Sequence, residues 1–453
     1  MKPVVLWTDA LVWLLVVALV LYARHCRRRP HLAESWGRVF RSRAAVVATV
    51  VLAAYLVVGL ADSLHYRPAL PPTPGQVGVA YAPQVHSLLD LPLAHLRGRT
   101  ERTYSAPLAT RSHVRERSER PDGSAVRERP RLRFGGAHLA DEADWAGDVA
   151  RRAAAGLVAG AAGVAALWLG LAPLRRRTPQ VPWGAALATL AALAALAGPA
   201  FALSTGYHVL GTDKVGQDVF YAALKSVRTS LLIGTLTTLV MLPLGVALGV
   251  AAGYFRGWVD DLIQYGYTTL NSIPAVLLIA AAVLLMQVYL ESRAELYPTA
   301  AERADLRLLF LCAILGLTSW TGLARLLRGE TLKLTELEYI QAAHALGVSH
   351  ARILGRHILP NVSHIVVIAV VMDFSALVLA EAVLSYVGVG VDPATMSFGT
   401  MINAARLELS REPVVWWALA AAFVFMFVLV LAANLFADAV RDGFDPRVRV
   451  GAA

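Results

Sequence analysis

About nine stretches of roughly 20 mostly apolar residues, each closed by polar or basic flanks, decide what this chain can fold into. A run of that length crosses the hydrocarbon core as a helix, because a backbone in lipid has to satisfy its own hydrogen bonds. The runs fall at residues 4–22, 44–60, 153–171, 181–203, 231–254, 268–290, 308–326, 365–387 and 414–436. With 57% hydrophobic and 16% charged residues, the chain is too apolar for a soluble domain. The expected fold is all-α, a polytopic transmembrane helical bundle of about nine spans.

Positive charge orients such a bundle, since Lys and Arg in short loops stay in the cytoplasm. Arg24 to Arg43, Arg175 to Arg177, Arg352 and Arg356, and the tail with Arg441, Arg447 and Arg449 all fall on one side of the alternation. That side is expected to be cytoplasmic, with the two ends of the chain on opposite sides. The first run carries its charges after the apolar core, at Arg24, Arg27, Arg28 and Arg29, so it reads as a retained helix, not a signal peptide. The net charge of +10 then speaks of topology and of anionic membrane lipid, with no nucleic acid implied. Cys26 and Cys312 sit at a cytoplasmic flank and within a span, which implies no disulfide framework, and no His or Cys cluster argues for a metal.

Four parts are expected: N-terminal helices over 1–60, an outward segment over 61–152, an additional helix pair over 153–205, and a helical core over 206–453. The outward segment begins Pro-rich, at Leu70-Pro71-Pro72-Thr73-Pro74, and has a mixed-charge centre from Arg97 to Arg133. That composition struggles to bury a core, so partial order at best is expected there, with short helices near 88–96 and 139–149.

Between two spans lies a polar island, YIQAAHALGVSHARILGRHILPN, from Tyr339 to Asn361. Ala342, Ala343 and Leu346 give a short helix with a small-residue face. Gly347 ends it through a left-handed backbone, and Pro360 is expected to stop a second short helix. Gly347, nine residues and then His357-Ile358-Leu359-Pro360 resemble the EAA motif, the ATPase-docking loop in membrane subunits of ATP-binding cassette importers. Gln341 stands where that motif has Glu. The implied docking loop spans 335–361, with Gln341, Ala342, Ala343, Gly347, Arg352, Arg356, His357 and Pro360 as its site residues.

Three further blocks resemble the dipeptide, oligopeptide and nickel permeases of that class, in the same order. They are Gly211-Thr212-Asp213 through Asp218, with Gln217 in place of an Arg; Glu381 through Gly390; and Asp438 through Arg447. Read locally, Thr212 or Asp213 caps a helix beginning near Val215. The resemblance covers about 210–448 and implies a type I importer-like core that works with a second homologous permease, two ATP-binding subunits and a periplasmic solute-binding protein in the inner membrane. Either the second or the fourth span would be the family's first. The chain has no Gly-x-x-x-x-Gly-Lys-Ser/Thr loop, so it is expected to be no enzyme and to bind no cofactor, with ATP used by partner subunits.

Gly245, Gly249 and Gly253 recur every four positions and predict close helix packing. Asp373 and Glu381 lie in one span, and a carboxylate there is costly unless water, a cation or a polar partner meets it. Asp373, Ser272 and Trp320 are the candidate translocation-path residues. A secondary transporter or channel using Asp373 as an ion site is the rival reading, and a membrane anchor presenting the outward segment is a third.

Overall fold

The computed structural model describes residues 2–70, 81–119, 125–293, 295, 297 and 299–444. The Pro-rich residues 71–74 and the tail residues Asp445, Pro446, Arg447 and Arg449 lie outside them. In chain order the helices are α1 (Trp7–Arg28), α2 (Pro30–Val39), α3 (Arg43–Asp62), α4 (Ala94–Arg97), α5 (Trp145–Gly170) and α6 (Ala172–Arg177). Then come α7 (Trp183–Ser204), α8 (Val219–Phe255), α9 (Gly257–Ser272), α10 (Ala275–Ser292), α11 (Ala300–Ser319) and α12 (Thr321–Thr335). The last are α13 (Glu338–Ala345), α14 (His350–Ile353), α15 (Leu359–Val387), α16 (Phe398–Ala405) and α17 (Trp417–Phe444). Among the described residues, 9 helical segments are long and apolar enough to cross a membrane, as expected from the runs.

Two of those runs differ from the expectation. The run at 268–290 breaks at Ile273-Pro274, where proline has no amide to continue the ladder, so α9 ends at Ser272 and α10 begins afresh at Ala275. The run at 308–326 divides at Trp320, which ends α11 and starts α12.

The chain folds as two compact units. The first holds residues 2–5, 40–230 and 393–432. Its α5 and α7 pack backbone to backbone: a Cβ added to Gly156 would lie 2.5 Å from the Gly198 carbonyl oxygen, and one added to Gly160 would lie 2.8 Å from that of Ala194. Small residues are what permit such an approach in lipid. The Tyr55 hydroxyl on α3 donates to the Phe425 carbonyl of α17 at 2.8 Å. Strands β1 (Lys2–Val4), β2 (His65–Arg67) and β3 (His86–Ser87) form an antiparallel sheet in that order, and β4 (Glu116–Glu119) pairs with β5 (Ala125–Glu128).

The second unit holds residues 6–39, 231–392 and 433–444 of the described chain. Its apolar core joins Leu232 and Leu236 of α8, Val283 of α10, Leu311 and Leu315 of α11, and Leu384 of α15. Helix α1 docks on α11, where the Thr8 amide donates to Asp305 Oδ2 at 3.1 Å and the Thr8 hydroxyl bonds the other carboxylate oxygen. Trp36 of α2 sits edge-on to Phe444 with ring centres 5.3 Å apart, and stacks near Phe436. Residues 1–60 are therefore not one N-terminal part. Thr8 and Trp36 tie α1 and α2 to the later helices of the second unit, whereas α3 packs with α7.

Candidate functional site: a polar knob and a buried ionic centre

The polar island folds into a knob with an apolar root. Ile340, Ile353, Ile358 and Val362 are fully buried beside Leu327 of α12. Leu346, at the tip, is 82% exposed, so the apolar content of this loop divides between anchoring the knob and covering its surface. The turn between α13 and α14 is a Schellman cap: the Val348 amide bonds the Ala343 carbonyl and the Gly347 amide bonds that of His344, both at 3.0 Å. Gly347 has φ 71°, as its left-handed role requires. A Cβ there would meet nothing within 4 Å, so the need for glycine is a need of the backbone.

Gln341, Ala342, Gly347, Arg352, Arg356 and Pro360 are exposed, and Ala343 and His357 are half-buried. Gln341 Nε2 donates to the Glu336 carbonyl at 3.3 Å. Pro360 does not stop a helix. Residues Leu354–Ile358 form one π-helical turn, and Pro360 occupies the opening turn of α15, where its missing amide is no loss. Asn361 Nδ2 then donates to the Tyr339 hydroxyl at 3.1 Å, fastening the start of α15 to α13.

The knob's support is the glycine face of α8. A Cβ on Gly245 would lie 2.9 Å from Leu323 Cδ2, one on Gly249 2.6 Å from the Ala324 carbonyl oxygen, and one on Gly253 2.7 Å from that of Arg328. All three contacts are with α12, which leads directly into the knob. Arg328 in turn grips Asp260 of α9 with two bonds of 2.6 Å, a bidentate pair. Beside the knob opens a cleft of about 1330 Å³, lined by Tyr22, His25 and Arg29 of α1 and its end, Pro243 of α8, Arg356 and His364.

The three candidate path residues are not brought together, and no hydrogen bond or ion pair joins any two of them among the described residues. Trp320 is 8% exposed and packs in the core with Met241 and Leu323. Ser272 is exposed at the end of α9 and donates back to the Thr268 carbonyl at 2.8 Å. Asp373 is half-buried on α15. Glu381 is buried and accepts from the Ser385 hydroxyl at 2.7 Å.

Within the first unit, the mixed-charge stretch from Arg97 to Arg133 is more ordered than its composition suggests. Glu101 is buried and accepts from the amides of Arg133, Phe134 and Gly135 at 2.9, 2.8 and 3.2 Å. His208 bridges it, at 3.4 Å, to Asp218, at 2.7 Å. Burial opposes ionisation of Glu101, but bonds from His208 and the three amides outweigh it and bring its carboxyl down to about 2. Burial likewise opposes charge on His208, and the two carboxylates overcome it, raising the imidazole to about 9. Asp218 also caps α8, its Oδ1 accepting from the Tyr221 amide at 3.0 Å. The expected caps do other work: Asp213 closes a turn onto the Val215 and Gln217 amides, and the Thr212 hydroxyl accepts from the Ser105 amide at 2.7 Å. Neither α1 on α11 nor the Glu101 centre was visible in the motifs. The polar start of α1, Thr8-Asp9, was the available signal for the first.

A multi-spanning helical core with an apolar-rooted knob, turned at a left-handed glycine, fits a membrane subunit of an ATP-binding cassette importer. The family described as binding-protein-dependent transport system inner membrane component matches residues 245–450. The chain is similar to the oligopeptide transport system permease protein OppC of Mycobacterium tuberculosis, 32% identical over 242 residues, 53% of this chain and 77% of that protein. The glutathione transport system permease protein GsiD of Pectobacterium atrosepticum is 33% identical over 244 residues, covering 53% of this chain and 73% of its own. The dipeptide permease DppC of Lactococcus lactis is 32% identical over 240 residues, 53% and 64%. The chain belongs to this family of importer permeases and is a multi-pass inner-membrane protein.

Proposed function

We propose that this chain is one of two related permeases forming a path for peptides or peptide-like solutes, driven by two separate ATP-binding subunits and loaded by a periplasmic solute-binding protein. ATP acts on the partner subunits, and this chain holds no nucleotide. The reading rests above all on the knob: Ile340, Ile353 and Ile358 root it rigidly, while Gln341, Ala342, Leu346, Arg352 and Arg356 are left on its surface for a partner. A push on such a knob moves α12 and α15 as rigid bodies. The peptide assignment comes from the oligopeptide, dipeptide and glutathione relatives. The test is co-purification of the full chain with the partner permease and ATP-binding subunits expressed beside it, followed by uptake of a labelled di- to pentapeptide pool in proteoliposomes supplied with the solute-binding protein. Capture with ATP-dependent uptake is expected. Capture without peptide uptake would remove the cargo assignment, and no capture would remove the importer coupling.

A further inference from the structure

Tyr254 ends α8 between two imidazoles that flank the knob's turning glycine. Its hydroxyl lies 2.8 Å from His350 Nδ1, on α14, and 3.2 Å from His344 Nε2, on α13. The His344 ring stacks on the Tyr254 ring at 5.6 Å and 24°, while His350 meets it edge-on at 5.6 Å and 79°. The two histidines lie 5.5 Å apart, on either side of Gly347 in sequence. Tyr254 itself is 8% exposed. Two tautomer pairs satisfy all three groups, and the shorter contact to His350 favours the one in which the hydroxyl donates to His350 Nδ1 and accepts from His344 Nε2–H.

We propose that Tyr254 is a latch that carries movement of the knob into α8, a positioning residue for coupling; this rests on the importer reading above. The apolar root, with Ala343 and Val348 packed against it, holds the knob against α12 and the start of α15, and none of those contacts ties the knob's turn to the end of α8 through a polar bond. The Tyr254 hydroxyl supplies that tie, because each helix arm is bonded to the same atom. One residue earlier, Gly253 lies against the Arg328 carbonyl and Thr331 of α12, so the latched turn of α8 has no slack of its own.

The test uses the full chain with its co-expressed partner permease, ATP-binding subunits and solute-binding protein, and three variants, Tyr254→Phe, His350→Leu and His350→Asn. Phenylalanine keeps the ring stacking and removes the bond. Asparagine presents an acceptor near the position of Nδ1, and leucine does not. Capture of the ATP-binding subunit should be retained in all three. Labelled peptide taken up per ATP hydrolysed should fall about fivefold in Tyr254→Phe and His350→Leu, the worth of one neutral hydrogen bond, and hold in His350→Asn. In the chain alone, Tyr254→Phe should also speed amide exchange at Leu346, Gly347 and Val348 several-fold. An unchanged uptake ratio in Tyr254→Phe, or His350→Asn falling as far as His350→Leu, overturns the latch. So does loss of capture in Tyr254→Phe, which would make the residue structural. Failure of the parent chain to capture the ATP-binding subunit counts against the importer reading, and the exchange rates then decide the latch by themselves.

Discussion

Gly249 and Ala324 meet backbone to backbone: a methyl group added at Gly249 would lie 2.6 Å from the Ala324 carbonyl oxygen and 2.8 Å from its Cα. Both neighbours are main-chain atoms, so relief requires a helix to move.

Replacing Gly249 with alanine should therefore part α8 from α12 and cost roughly 1–3 kcal/mol, the range for overpacking a close contact. Gly266, where an added Cβ meets nothing within 4 Å, supplies the control. Thermal unfolding in detergent should show Gly249→Ala several degrees below the parent and Gly266→Ala close to it. Equal midpoints would mean that the glycine face does not set this packing.

At Gly347 the constraint is φ, not space. Valine there should strain the turn by about 1–2 kcal/mol, whereas asparagine, which tolerates left-handed geometry, should be nearly neutral. Capture of the ATP-binding subunit is the readout, reduced for Gly347→Val and retained for Gly347→Asn. Full capture and full transport with valine would detach the knob from coupling.

The buried ionic centre gives the outward segment a pH window. His208 is raised to about 9, so its contribution is complete below its ordinary 6.5 and disappears as pH climbs through 9. Glu101 is lowered to about 2, so its contribution is complete above its ordinary 4.5 and fades as pH falls toward 2. Limited proteolysis of the segment near Arg133 should be slowest between about pH 4.5 and 6.5 and accelerate above 9. His208→Gln should abolish the alkaline rise; a rise that persists would place its origin elsewhere. The buried centre also makes deletion of 97–133 a structural lesion, contrary to the expectation from composition.

Asp373 is the charged path candidate. Asparagine keeps its shape and removes its charge, so a role in meeting cationic groups predicts weaker uptake of peptides with free amino termini, with uptake of N-acetylated peptides spared. Equal losses for both cargoes, or none, would reject that role.

Much of the membrane architecture could be read from the chain because lipid demands a fixed apolar length, and the Gly347 turn because only glycine is at ease at φ 71°. Pro274 announced a helix break that run length alone concealed. The division at Trp320 was marked only by the short polar string Thr318-Ser319 and Thr321-Gly322, which a reading by apolar run length passes over. Pro360 misled because the rule that proline ends a helix does not anticipate the π-turn before it. The Glu101 centre was illegible for a different reason. Its members are 107 and 10 residues apart, and each looks like an ordinary surface charge until the fold removes water from around it.

The bond from Thr8 to Asp305 spans 297 residues of chain. At roughly 5–20 residues per second of synthesis, α1 emerges on the order of 15–60 s before the helix it is to join. For that interval it sits in the bilayer with its polar end unmatched, while α3, α5 and α7 are threaded past it. Biogenesis of this protein thus depends on keeping an early helix uncommitted, a burden that falls on the insertion machinery and that no property of the finished transporter would disclose.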